Sequence, residues 1–257
     1  MVKFKFILPI LLLFSLTLKA QKKNTIGLSY GVNSGLLKDL NFSPLHYKES
    51  GHLLSLQYLR HNPKRKNRFE IGIDFSSRKT KTDVSNLFTA NYIYGKINAS
   101  YCRKINVSKS RKWNFYAGAG YATNLFYVEW DDNEAFSYVA THGLTFNCKA
   151  NYLINKRNQI YSTITIPFLQ LLARPPYNGR DEFIIENENS PVKIFFDRKF
   201  ATFNQYYGFS WTTKYIFNVS KLIDLSVNYN LNLQNVTGVN KLTHMQNQLQ
   251  TGLNIKF

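Results

Sequence analysis

The chain has 257 residues, a formal net charge of +18 and an aromatic content of 16%. Its two cysteines are too few for a disulfide scaffold. Beyond the first twenty residues, no apolar run is long enough to cross a bilayer as a helix. The 17 Tyr and 20 Phe, with few good helix-forming stretches, instead favour β-strands.

The N-terminus has the pattern of an export signal. Lys3 and Lys5 precede a short apolar stretch, Phe6–Leu16, and Ala20 is a suitable last residue before cleavage. The stretch is too short for a transmembrane helix. We therefore predict a signal peptide over residues 1–20 and one domain over residues 21–257. Because residues 1–20 hold three lysines and no acid, this domain keeps a charge of +15.

Ten segments alternate apolar and polar residues along this domain, which is the pattern of half-buried strands. They are Ile26–Val32, Leu54–Tyr58, Phe69–Phe75, Tyr92–Arg103, Trp113–Tyr121, Leu144–Ile154, Ile160–Phe168, Tyr207–Phe217, Ile223–Leu233 and Leu249–Phe257.

Two all-β architectures fit this alternation. A soluble sandwich would need a very large apolar interior for so many strands. A transmembrane antiparallel up-and-down β-barrel turns the apolar face to lipid and the polar face to the lumen. The connections after strands two, four, six and eight are short and the others long, which is typical of outer-membrane barrels with short periplasmic turns. We predict such a barrel with about ten strands.

The strand count has two alternatives, eight and twelve. The twelve-stranded form would use Asp181–Glu186 and Val192–Phe196 as an extra membrane hairpin. Both segments are shorter than the roughly 9–11 residues that a spanning strand needs. We therefore expect a hairpin that stands above the membrane.

The last strand carries a recognisable pattern. Leu249, Leu253, Ile255 and Phe257 share one parity, and the chain stops on the aromatic residue. With the export signal and the segment Asn114–Ala122, the chain resembles the small outer-membrane β-barrel family of Gram-negative bacteria and is most similar to the PorT-like group. The resemblance implies outer-membrane location, an assembly signal in Leu253, Ile255 and Phe257 for the barrel assembly machinery, and association with protein secretion.

Catalytic and cofactor patterns are weak. None of the five histidines lies at a recognisable spacing from a nucleophilic serine, and there is no glycine-rich phosphate loop or Cys/His metal spacing. We expect no enzyme, no cofactor and no nucleic-acid partner. Two other functions remain open: a narrow small-solute channel, although small barrels have side-chain-filled lumens, and a lipid-modifying enzyme using His142 at the outer rim facing lipid.

Residue parity also predicts where particular side chains point. Cys102 should face the lumen and Cys148 the lipid, so they cannot form a disulfide. Phe75, Tyr92, Tyr121 and Tyr207 should lie in the aromatic girdle at the outer ends of the strands.

Positive charge is concentrated on the periplasmic side of this predicted barrel. Two turns are the most basic, and their residues are Lys64, Arg65, Lys66, Lys109, Arg111 and Lys112. Attraction to anionic head groups among the outer-membrane lipids explains such charge. Docking of an acidic periplasmic protein explains it equally well, because complementary charge steers and orients a partner.

Overall fold

The computed structural model describes residues 24–41, 43–62, 66–82, 84, 89–105, 112–130, 136–175, 182–187, 189–196, 199–237 and 241–257. The predicted signal peptide, residues 1–20, lies outside these ranges. Within them, no helix is long and apolar enough to span a membrane.

The described chain is almost entirely β-structure. Its strands are β1 (Asn24–Asp39), β2 (Ser43–Asn62), β3 (Asn67–Thr82), β4 (Thr89–Ile105), β5 (Trp113–Trp130), β6 (Phe136–Leu153), β7 (Asn158–Ala173), β8 (Lys199–Ala201), β9 (Tyr206–Asn218), β10 (Ile223–Val236) and β11 (Leu242–Lys256). Two short helices, α1 (Glu182–Glu186) and α2 (Pro191–Phe196), lie between β7 and β8.

The ten long strands close into an antiparallel barrel. Each pairs with its neighbours along the chain, β7 pairs with β9, and β11 returns to pair with β1. At this seam Ile26 lies opposite Ile255 and Leu28 opposite Leu253. Closure supplies partners for strand backbone groups that would otherwise form exposed edges. The predicted ten-stranded up-and-down barrel is confirmed.

The two ends of the barrel differ in what they carry. Asn24 and Phe257 lie together: each backbone N–H donates to the other residue's carbonyl oxygen, at N···O distances of 3.2 and 3.0 Å. We call this the terminal end; it also holds the connections 63–66, 106–112, 154–157 and 219–222. The distal end holds the connections 40–42, 83–88, 131–135, 174–205 and 237–241.

The predicted contrast between long distal loops and short turns is wrong everywhere except at 174–205. The strands continue where loops were expected: β2 has 20 residues, against the roughly 9–11 that cross a bilayer. In these distal extensions the outward positions become polar, as where Lys48 pairs with Lys81 and Ser50 with Lys79. The apolar alternation therefore ends before the strands do.

The wall has an apolar outer face and a polar inner face. On β1, Leu28, Tyr30 and Val32 are exposed to the outside, whereas Ser29 and Asn33 are buried in the lumen. The Cys102 side chain is buried and that of Cys148 exposed, which confirms the parity predicted for both. This inversion of the soluble pattern is what a barrel in lipid requires.

The β7 ladder changes partner at Pro167. Residues 158–165 of β7 pair with β9, whereas residues 170–172 pair with β8. The register between β6 and β7 also shifts there, with Thr145 opposite Pro167 and Leu144 opposite Leu169. Proline has no N–H to give to the ladder, so it is tolerated at such a bulge.

The segment after β7 corrects the predicted hairpin. Asp181 lies outside the described residues, but Glu182–Glu186 and Pro191–Phe196 are helical rather than extended. Ile184 and Ile194 pack against Phe136, Tyr138 and Ala140 on the outer wall of β6. The alternating pattern was too short to specify strands, and burial against the wall determines the structure.

Candidate binding site in the barrel lumen

The distal part of the lumen is filled by apolar side chains. We call this cluster the distal plug, and its fully buried members include Leu37, Tyr47, Tyr92, Val128 and Leu242. The Tyr92 ring packs edge-on against Phe126, with 4.6 Å between ring centroids. Tyr92 thus lies inside the barrel, and its predicted place in the outer girdle is wrong: it has the opposite parity to the lipid-facing Ile93.

A buried charge network lies beside the plug. Arg78 Nη1 donates to Glu49 Oε1 at 2.7 Å, and His244 Nε2 is 3.0 Å from the same oxygen. The side chains of Arg78 and Glu49 are both fully buried. The guanidinium lies over the rings of Tyr92 and Tyr94, 4.7 and 5.1 Å from their centroids. These contacts compensate the charge of the Arg78 guanidinium locally. Because the pair is buried, a substrate has no access to Glu49 and His244 in this conformation.

A second ion pair crosses the distal mouth. Arg174, which follows β7, contacts Asp39 at the end of β1 through its guanidinium. Ser137 Oγ of β6 donates to Asp39 Oδ2 at 2.9 Å. The end of β1 is thereby tied across the barrel to the neighbouring strands β6 and β7.

At the terminal end the lumen contains a cavity of about 560 Å³. We call it the basic vestibule. Its lining extends from Lys66, an exposed residue of the turn after β2 whose φ of 53° is left-handed, to Lys214 in the middle of β9. The volume lies within the roughly 300–1,000 Å³ typical of ligand sites.

The vestibule is strongly cationic. Five basic side chains line it against one carboxylate, that of Asp224; the basic residues are Lys66, Arg68, Lys104, Lys214 and Lys256. Lys256 Nζ lies 2.6 Å from Asp224 Oδ1, so this pair is balanced. The lining therefore has an excess of positive charge in a partly enclosed space, where field lines are focused.

Two of these lysines are held by neutral groups. Lys214 Nζ donates to Gln57 Oε1 at 3.2 Å and to Asn254 Oδ1 at 3.1 Å. Lys104 Nζ donates to Asn114 Oδ1 at 2.5 Å. The amide oxygens orient both ammonium groups without neutralising them, which leaves the charges available to an anion.

The floor of the vestibule is a balanced cluster. Arg68 and Lys149 both contact Glu70, and the Lys149 Nζ–Glu70 Oε2 distance is 2.5 Å. Arg68 also lies over the Tyr161 ring, 4.2 Å from its centroid. A smaller cavity of about 160 Å³ continues beyond this floor and shares Gln57, Arg68, Tyr161 and Lys214 with the vestibule.

Two of the predicted docking residues, Lys66 and Lys112, lie at this same end; Lys64, Arg65, Lys109 and Arg111 are outside the described residues. The backbone carbonyl of Lys66 accepts from Lys104 N at 2.8 Å, and that of Lys112 accepts from Leu153 N at 2.9 Å, so these two residues are joined to strands. Lys66 lines the vestibule and Lys112 is exposed beside it. Their role in binding a partner stays a prediction.

The residues of the predicted assembly signal lie at the closing seam. Leu253 and Ile255 project from the outer face of β11, and Phe257 is joined through its backbone to Asn24. This places them where the last strand meets the first. Recognition by the assembly machinery stays a prediction.

His142 does not face lipid. Its parity is outward, but α2 covers it: its ring stacks on Phe196 with 4.2 Å between centroids, and Nε2 is 3.2 Å from the Phe195 carbonyl oxygen. The prediction of a lipid-facing histidine at the rim is wrong, because the alternation of β6 contains no information about a helix packed on the wall.

Parity could have identified the vestibule from the sequence. Arg68, Lys104, Lys214 and Lys256 all lie on the lumen parity of their strands, near the terminal end. The charges of the turns are consecutive in the sequence, whereas the lumen charges come from separate strands and meet only after closure.

No protein-family model matches the chain, and no curated protein matches its sequence. Among solved structures, the outer membrane protease OmpT from Escherichia coli is similar over 91% of this chain and 97% of its own, with 9% identity and a TM-score of 0.57. Neisserial surface protein A is 12% identical, over 90% of this chain and 97% of its own, with a TM-score of 0.39. An outer membrane channel from Pseudomonas putida F1 is 9% identical, over 93% and 97%, with a TM-score of 0.40.

The likeness to OmpT shows that this chain has the fold of an outer-membrane β-barrel. It also corrects the expectation that the protein is not an enzyme. That expectation depended on missing sequence motifs, and a protease is built on the same fold. The architecture therefore gives no ground for excluding catalysis.

Proposed function

We propose that this protein is an integral outer-membrane barrel, exported by its signal peptide, that binds an acidic periplasmic partner at its terminal end. The observation that carries the proposal is the asymmetry of the lumen. Its distal part is filled by the plug, and its terminal part holds a cationic vestibule. A molecule that carries negative charge is steered toward such a cavity.

The membrane orientation follows from general barrel physics. An apolar outer face with a polar lumen suits lipid, and outer-membrane barrels place their short turns in the periplasm. The long connection, 174–205, lies at the distal end, whereas every connection at the terminal end is short. The distal extensions, whose outward faces carry Lys48 and Lys81, then stand in water outside the cell.

The narrower assignment rests on the resemblance to the PorT-like group. In this proposal the barrel is inserted by the assembly machinery through Leu253, Ile255 and Phe257. It then serves as a membrane-embedded component of a secretion or assembly complex, with the basic turns contacting the partner. A narrow channel for small solutes is the rival function, and it requires a continuous water path that the distal plug blocks.

Charge reversal tests the proposal. Replacing Lys64, Arg65, Lys66, Lys109, Arg111 and Lys112 by Glu should leave a folded, heat-modifiable barrel but release a co-purifying periplasmic protein. In the unaltered barrel, high salt should weaken the same complex, because salt screens exposed charge. The matched control reverses Lys79 and Lys81, which are exposed at the distal end, and should retain the partner. Retention of every partner by the six-residue variant at low and high salt would overturn the proposal.

A further inference from the structure

The vestibule and the smaller cavity beyond its floor are adjacent, and together we call them the shaft. Their linings share Arg68 and Lys214, so a ligand that passes the rim at Lys66 meets Lys214 and the cluster of Arg68 and Glu70 at the floor. A ligand in this shaft is enclosed by protein, unlike a ligand on a charged surface. A group bound at Lys214 is surrounded by protein, where electrostatic attraction is less screened than at the exposed turns.

The polar groups along the shaft define the ligand chemistry. Lys104 and Lys214 donate to amide oxygens and can also donate to a carboxylate, which is the stronger acceptor. The buried Asn151 side chain, which lines the vestibule, has an oxygen that lacks a hydrogen-bond partner among the described residues. Buried polar atoms normally have a partner. The shaft thus offers cationic donors for an anion, and Asn151 offers an acceptor for an N–H group.

We propose that an acidic peptide segment of the periplasmic partner inserts into the vestibule, with a carboxylate bound by Lys104 and Lys214. This inference rests on the proposed function and names where and how the partner binds. A peptide fits because it carries carboxylates and backbone N–H donors together. The lumen then contributes binding energy in addition to that of the turns.

The test uses the full-length barrel in nanodiscs of neutral phosphatidylcholine, so that lipid charge does not compete. The probe is a blocked peptide of alternating Gly and Glu with an uncharged fluorophore, and binding is measured by anisotropy. A peptide with Gln in place of Glu is the ligand control. We expect the Glu peptide to bind and the Gln peptide to bind at least tenfold more weakly, because charge-assisted hydrogen bonds are lost, on the order of tenfold or more each.

Two variants locate the site. Lys104→Gln and Arg103→Gln remove the same charge from adjacent residues of β4, but Lys104 lines the vestibule whereas Arg103 is exposed on the outer face. Lys104→Gln should weaken peptide binding about tenfold, and Arg103→Gln should change it less than twofold. Lys214→Gln is a second lumen variant, and heat-modifiability verifies that each barrel is folded.

Each contrary outcome has a distinct meaning. Equal weakening by Lys104→Gln and Arg103→Gln would show a general surface attraction and overturn insertion. Displacement of the peptide by equimolar phosphate would assign the shaft to small anions instead. A third outcome is that the peptide does not bind while reversal of the turn charges still releases the partner. That result would contradict insertion of an acidic segment into the vestibule but not the proposed function.

Discussion

In the distal half of the lumen, Arg78 is enclosed by the Glu49 carboxylate and by the rings of Tyr92 and Tyr94. In the terminal half, Lys214 is held by the amide oxygens of Gln57 and Asn254 and lines an open cavity. One cation is compensated and sealed, and the other is positioned but left uncompensated. The difference indicates that charge stabilises the barrel at one end and is available for binding at the other.

The largest expected effect is the loss of the sealed ion pair. Arg78→Met removes the permanent positive charge beside the buried Glu49 carboxylate and leaves only His244 Nε2 in contact with it; breaking a buried ion pair in this way typically costs about 3–5 kcal/mol. The midpoint of urea unfolding of the barrel in detergent should fall accordingly. Adding Glu49→Leu removes the stranded charge and should restore part of the stability. An unchanged midpoint for Arg78→Met would mean that the network is not structural.

The apolar plug gives the next largest effect. Leu37 is 1% exposed inside the lumen, whereas its neighbour Leu36 is 46% exposed on the outer face. Leu37→Ala should therefore lower the free energy of unfolding by about 2–5 kcal/mol, because it leaves an unfilled cavity. Leu36→Ala should cost far less, because solvent or lipid fills the space. Equal losses, measured by the same urea titration, would contradict the assignment of the two faces.

Removing a cation from the terminal half should lower the stability of the barrel only slightly. Lys104→Gln replaces an ammonium donor to Asn114 Oδ1 by a neutral amide donor, a difference of about 1 kcal/mol, and lowers repulsion among the vestibule lysines. The unfolding midpoint should stay close to that of the unaltered barrel. A loss as large as that of Arg78→Met would show that the vestibule charges are structural rather than available to a ligand.

How much of this arrangement the sequence could predict depends on the physical origin of each feature. Period-two alternation reports the face of a strand, so the barrel, the strand count and the orientations of Cys102 and Cys148 followed from it. The alternation gives no signal where the outward residues are polar, so it does not predict the distal extension of β2. Helix α2 and its cover over His142 depend on packing between distant segments, which local alternation does not contain.

The lumen illustrates the same limit. The inward parity of Arg68, Lys104 and Lys214 was available from the sequence, but their grouping required the register of β3, β4 and β9 around the closed barrel. The partner of each charge was not predictable either. Whether a lysine meets a carboxylate, as Lys149 meets Glu70, or an amide, as Lys214 meets Gln57, depends on contacts across the lumen.

The last prediction concerns the electrical conductance of the barrel, which we expect to be zero. If the distal half is sealed, the barrel reconstituted in a planar bilayer should show no unit conductance, although its terminal half contains a cavity. Leu37, Tyr92, Val128 and Leu242 are at most 1% exposed, so water does not reach them in this conformation. Ion pairing of Arg174 with Asp39 closes the mouth above them. An open porin in the same bilayer is the control. Reproducible conductance steps from the unaltered barrel would favour the channel function and contradict a sealed distal half.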